Sequence, residues 1–141
     1  MTNRVIAIDG PSGSGKSTVS RAIGQKLGFL HVDSGALYRI VTWQGLLHGV
    51  DPNDAAAVAA FAGRLAVEMT AVDGAVRFSV GGVEPGDAIR TAEINAAVSP
   101  VSKVPEVRAK VTAWLRDLRR LGDLVVEGRD IGSVVFPDSP A

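Results

Sequence analysis

Gly10-Pro11-Ser12-Gly13-Ser14-Gly15-Lys16-Ser17 has the spacing G-x-x-x-x-G-K-[ST], and each fixed position has a use toward a triphosphate. The glycines let the loop curl until backbone N–H groups face the β-phosphate. Lys16 neutralises charge on the β- and γ-phosphates, and the Ser17 hydroxyl is a hard oxygen ligand for magnesium. The expected contacts to ATP are therefore Gly10, Pro11, Ser12, Gly13, Ser14, Gly15, Lys16, Ser17 and Thr18, with Ser17 the ligand of Mg2+. The competing reading is a glycine-rich turn that carries a lysine by chance, in a chain with 16 glycines. It requires four fixed positions to coincide and a strand and a helix to flank them as well.

Further candidates lie where apolar runs end. Asp33 closes Phe29-Leu30-His31-Val32, and Glu127 closes Leu124-Val125-Val126, followed by Gly128-Arg129-Asp130. Two carboxylates at strand ends beside such a loop are candidates for organising magnesium and its waters. On spacing alone three bland readings stay open: Glu127 as a solvated strand-end residue, Arg129 with Asp130 as a surface ion pair, and Arg39 as a solvated helix arginine.

The elements that must position these residues follow from periodicity. Val5-Ile6-Ala7-Ile8 is a continuous β-branched run of the kind buried on both faces of a parallel sheet. The helix after the loop carries Val19, Ile23 and Leu27 on one expected apolar face, with Gly28 as its left-handed stop. Its N-terminus adds a positive dipole end to the phosphate site. Ser34 is the expected N-cap of a helix bearing Leu37, Ile40, Val41 and Leu47, and Asp54 caps another bearing Val58, Phe61, Ala62 and Leu65. Val67–Thr70 and Val76–Val80 then alternate around Asp73-Gly74, a hairpin signal. From Pro105 a helix with Val107, Val111, Trp114, Leu115 and Leu118 in one stripe runs to Gly122. The fold class is α/β: a three-layer parallel sheet with a small antiparallel insert, in which three strand ends bring Gly10, Asp33 and Glu127 together. An apolar sheet edge is expected beside Val126.

Composition agrees with a single-domain reading of the 141 residues: 15 basic against 15 acidic side chains, 46% apolar residues and no cysteine. Balanced charge and the lack of a basic patch interleaved with aromatics argue against a nucleic-acid partner. The apolar run that stops at Asp9 is too short for a signal-peptide core or a membrane span, so a cytoplasmic protein without membrane association is expected.

Ile8 to Ser17, Asp33-Ser34-Gly35-Ala36-Leu37-Tyr38-Arg39, Ile89-Arg90-Thr91 and Glu127 to Asp138 together closely resemble the bacterial cytidylate kinases. The resemblance implies the P-loop nucleoside monophosphate kinase fold, and transfer of the ATP γ-phosphoryl to CMP or dCMP by a protein expected to be monomeric. It implies catalytic roles for Lys16, Arg39 and Arg129, the two arginines holding the acceptor phosphate. It implies that Ser99, Arg108 and Asp130 read the base or ribose, with Asp33 and Ser34 completing the substrate-binding set. The hairpin region, about residues 68–90, corresponds to the family's monophosphate-binding insert in a single core spanning residues 1–141. The family continues past the point where this sequence reaches Ala141, so its lid arginines and later acceptor contacts are expected to lie outside these residues. The alternatives are another small-molecule kinase with the same loop, acting on an acceptor such as shikimate or adenylate, and a fragment that binds ATP without turnover.

Overall fold

The computed structural model describes residues 3–10 and 15–128, and of Lys16 and Ser17 the backbone alone. The loop residues Pro11, Ser12, Gly13 and Ser14 and the acceptor-site candidates Arg129 and Asp130 lie outside the described residues.

The element order is β1 (Val5–Asp9), α1 (Lys16–Leu27), β2 (Leu30–Asp33), α2 (Ser34–Leu47), α3 (Ala55–Arg64), β3 (Glu68–Val72), β4 (Ala75–Ser79), α4 (Ala92–Ser102), α5 (Pro105–Asp117) and β5 (Leu124–Gly128). Short 3-10 turns at Gly86–Ile89 and Leu118–Leu121 precede α4 and follow α5. Two compact units result: Met1–Gly35 with Met69–Arg77 and Trp114–Ala141, and Ala36–Glu68 with Phe78–Ala113.

The first unit is built on the sheet, whose strand order is β1-β5-β2-β4-β3. β5 is parallel to β1 (Val5↔Leu124 through Asp9↔Gly128) and to β2 (Leu30↔Leu124 through Asp33↔Glu127). Every residue of β5 is buried, as a central strand of a covered parallel sheet requires. The edge expected beside Val126 is therefore corrected: β5 inserts between β1 and β2, Val126 is fully buried, and among the described residues β1 and β3 are the edge strands. The hairpin forms where Asp73-Gly74 places it, with φ of 51° and 80° at the two turn residues, the sign that a tight two-residue hairpin turn needs. Its strands extend the main sheet: β4 lies parallel to β2 at His31↔Ala75, and the His31 N–H donates to the Gly74 carbonyl over 3.0 Å.

α1 ends at Gly28 in the left-handed conformation, φ 72°, as its sequence predicts. Its buried face is not the apolar one. Val19 and Leu27 are each 50% exposed, whereas Ser20 and Gly24 are buried, and the Ser20 hydroxyl has no partner among the described residues. The cause is close approach: a Cβ at Gly24 would sit 3.1 Å from the Phe29 carbonyl oxygen, and the Phe29 N–H donates to the Gly24 carbonyl over 3.0 Å. Apolar periodicity marks a face that packs at ordinary distance; here the turn into β2 selects small residues instead.

The second unit is helical at its core, with Leu37, Ile40 and Val41 of α2, Val58 and Ala62 of α3, and Val107 and Val111 of α5 buried, while Leu47 is exposed. Asp54 caps α3 by accepting from the Ala57 N–H at 3.1 Å. α4 has no counterpart in the periodicity reading. Its signals are Thr91, whose hydroxyl accepts from the Ile94 N–H, and Ile94, Ala97 and Val101 at helical spacing, interrupted by Pro100. Among the described residues no helix is long and apolar enough to cross a membrane.

The two faces of α1 give a direct test. Gly24→Val forces a branched side chain against the Phe29 carbonyl and is expected to cost about 1–3 kcal/mol of unfolding free energy in urea titrations. Val19→Ser on the open face is expected to change it by less than about 0.5 kcal/mol.

Candidate active site

In the first unit the loop that follows β1 delivers the chain into α1 through Gly15, which holds φ 82° and ψ 7° at the N-cap position. A side chain there is strained whatever space surrounds it. α1 has no side-chain cap and no acidic residue in its first turn. Among the described residues no side chain therefore competes with an anion for the first-turn N–H groups and the positive dipole end of α1. The Gly10 N–H donates to the Gly128 carbonyl over 3.1 Å, tying the start of the loop to the end of β5.

Parallel register sets Ile8, Glu127 and Asp33 side by side at the C-terminal ends of β1, β5 and β2. Glu127 is not the solvated residue that spacing allowed. It is 2% exposed, and its Oε2 lies 2.6 Å from Nε2 of His31, the imidazole N–H donating to the carboxylate. His31 was not among the sequence candidates; its signal is alternation, since it stands two residues before Asp33 on the strand beside β5. Asp33 accepts the Gly35 N–H at 3.0 Å, the capping job expected of Ser34. The Ser34 cap is thus corrected: its hydroxyl donates to the Glu127 carbonyl over 2.7 Å, in a buried position, which leaves only a lone pair for a ligand. Among the described residues no group of three or more His, Cys, Asp and Glu converges on a metal position. The Asp33 carboxylate, partly exposed at the end of β2, is an oxygen donor of the kind that suits a magnesium ion arriving with a nucleotide's phosphates.

In the second unit Arg39 is half-buried on α2 and held in place from the 3-10 turn and α4. Its Nη1 donates to the Ile89 carbonyl over 3.1 Å and to Oδ1 of Asn95. Both bonds use Nη1, so Nε and Nη2 face no acceptor among the described residues. Arg39 is therefore a fixed, partly desolvated guanidinium with donors to spare, and not a waving surface arginine. Asn95 is a residue that sequence reasoning missed, because it lies on the helix that Pro100 disguised. Ser99 stands four residues after Asn95 on the same exposed face of α4, and Arg108 is exposed on α5. The structure links neither to Arg39 by a hydrogen bond.

The His31 and Glu127 pair has a measurable consequence. His31→Ala removes a hydrogen bond to a buried carboxylate, and the expected loss is about 1.5–3 kcal/mol in unfolding free energy. His31→Gln, which can still donate, is expected to lose less in the same denaturation experiment.

Comparison with known proteins bears on both halves of this arrangement. The family model described as Cytidylate kinase matches residues 6–141. The chain is 44% identical over 137 residues to a cytidylate kinase of Streptomyces avermitilis, covering 96% of this chain and 59% of that protein. It is 44% identical over 141 residues to a cytidylate kinase of Mycobacterium leprae, covering 99% of this chain and 61% of that protein. It is 46% identical over 136 residues to a bifunctional pantoate ligase/cytidylate kinase of a Synechococcus strain, of which it covers 28%. The chain thus spans well under two thirds of the length of each of these relatives. The family match runs from residue 6 to residue 141, through both units, and the chain belongs to the cytidylate kinase family.

Proposed function

We propose that this chain carries the donor-binding and acceptor-binding parts of an enzyme that transfers the γ-phosphoryl group of MgATP to CMP or dCMP, yielding ADP and CDP or dCDP. The observation that supports it most is Arg39, clamped by the Ile89 carbonyl and Asn95 with unused donors, in a chain whose α1 begins as an uncapped anion site. One anion is gripped at each place, and phosphoryl transfer needs two brought together.

An oxygen of the acceptor's monophosphate attacks the γ-phosphorus in line while the bond from γ-phosphorus to the β,γ-bridging oxygen breaks. That oxygen is already anionic, so no general base is needed and catalysis rests on positioning and charge neutralisation. The first-turn N–H groups of α1 and Lys16 take the charge of the β- and γ-phosphates, and Arg39 with Arg129 takes that of the acceptor phosphate. Magnesium would be held by Ser17 and, through water, by Asp33, and it supplies further neutralisation of the phosphates. Glu127, buried against His31, holds the row of strand ends in place and is not proposed as a direct metal ligand. Ser99 and Arg108 are proposed to read the cytosine edge, with Asp130 on base or ribose.

Two measurements test this. Coupled assay of ADP release against a panel of monophosphates is expected to show turnover with CMP and dCMP. Lys16→Ala is expected to lower it by about two to three decades, the scale for removing one preorganised donor. Turnover with AMP or shikimate and none with CMP would overturn the assignment. Separately, Arg39→Ala is expected to raise the KM for CMP at least about tenfold with little change in the KM for ATP. An equal effect on both would remove Arg39 from the acceptor side.

A further inference from the structure

A groove of 380 Å³ opens in the second unit, between the C-terminal halves of α2 and α3 and the turn after β4. Its lining includes Gln44, His48, Val50, Phe61, Arg64 and Val80. None of these residues has a role in the reaction proposed above. The volume lies in the range of small-molecule sites, and the mixture is the usual one: apolar walls with a few placed polar groups.

Gln44 is the decisive member. It is only 8% exposed, and its side-chain amide makes no hydrogen bond among the described residues. Yet among the described residues only the Ser20 hydroxyl is a side-chain oxygen or nitrogen sealed from solvent without a partner, so both amide atoms of Gln44 keep an opening, and Gln44 lines the groove. An amide that is largely buried and has no protein partner on this wall offers a ligand a donor and an acceptor side by side. Beside it, four residues on along α2, the His48 ring lies against Phe61 with centroids 5.5 Å apart and planes at 40°. This tilted pair gives the groove an aromatic side on which a planar ring can rest against one face at a time. Arg64, at the last turn of α3, is exposed and makes no side-chain bond among the described residues. Lys110 donates to the Gly63 carbonyl over 3.3 Å, offsetting the negative end of α3 beside it. The nearest carboxylate along the chain, Glu68, is engaged by the Gly82 N–H at 2.9 Å.

We infer that this groove is a second ligand site, for a small planar heteroaromatic acid whose ring bears a lactam or imide edge. The edge pairs with the Gln44 amide, donor to acceptor and acceptor to donor. The ring lies on Phe61 and His48, and the acid group meets Arg64 at the mouth. A charge without the edge, or an edge without the charge, satisfies half of the site.

The test titrates the protein with orotate, a pyrimidine carboxylate with both features, by 1H–15N NMR in the presence of saturating CMP. Saturable shifts are expected at the Gln44 side-chain amide and the His48 backbone, with CMP failing to displace them. Gln44→Leu, which keeps the volume, and Arg64→Gln, which is on the surface, are each expected to weaken orotate binding about tenfold. Benzoate, which has the ring and charge but no imide edge, is expected to bind more weakly and to be indifferent to Gln44→Leu. Absence of saturation to about 10 mM, displacement by CMP, or equal binding to both variants and the parent would overturn the site. None of these results depends on turnover, so failure here is distinguishable from failure of the kinase assignment.

Discussion

The placement of β5 between β1 and β2 is the constraint on which the first unit depends. Parallel strands put their C-terminal ends at one edge of the sheet, and the register Ile8, Glu127, Asp33 decides which side chains meet there. β5 then fastens the loops that leave its neighbours. The Gly128 carbonyl accepts from Gly10 at the start of the phosphate loop, and the Glu127 carbonyl accepts from Ser34 at the start of α2. The Glu127 carboxylate accepts from His31 within the sheet. Shifting β5 by one residue would turn Glu127 to the opposite face and break all three links at once. At the other end of the strands the Leu124 N–H donates to the Arg4 carbonyl, and Arg119 donates twice to the Asn3 carbonyl, which holds the same register from below.

α1 shows how close backbone approach limits the packing of a helix. The helix approaches the turn into β2 so closely at Gly24 that a Cβ there would sit 3.1 Å from the Phe29 carbonyl oxygen, and Ser20, one turn earlier, is buried on the same face. The apolar residues Val19 and Leu27 are consequently turned outward. Backbone proximity, and not hydrophobic burial alone, orients this helix.

The second unit is organised by a different device. Arg39 belongs to α2, which starts at the sheet, but its guanidinium is oriented by the 3-10 turn and by α4, through Ile89 and Asn95. A guanidinium fixed in advance loses less entropy when it meets a phosphate than one free to sweep solvent. The segment Ile89-Arg90-Thr91 thereby gains a structural meaning: it supplies the carbonyl that aims Arg39, and Thr91 starts the helix that carries Asn95 and Ser99.

Much of this was legible in the residues alone, for reasons that are local. Strand β1, the helix that starts at Lys16 and the left-handed Gly28 follow from β-branching, the motif over residues 10–17 and glycine freedom, because each depends only on its own neighbours in the chain. The Asp73-Gly74 hairpin and the Asp54 cap were legible for the same reason. The helix over residues 92–102 was not, since Pro100 broke the pattern and alanines carried little of it. What only the tertiary structure decided are relations between distant residues: that β5 lies inside the sheet, that Glu127 is sealed by His31, and that Arg39 answers to Asn95. The first pair is separated by 96 residues and the second by 56, and no local preference speaks across such intervals. Periodicity tells a residue which side of its own element it occupies; which atoms wait on that side is settled when the elements pack.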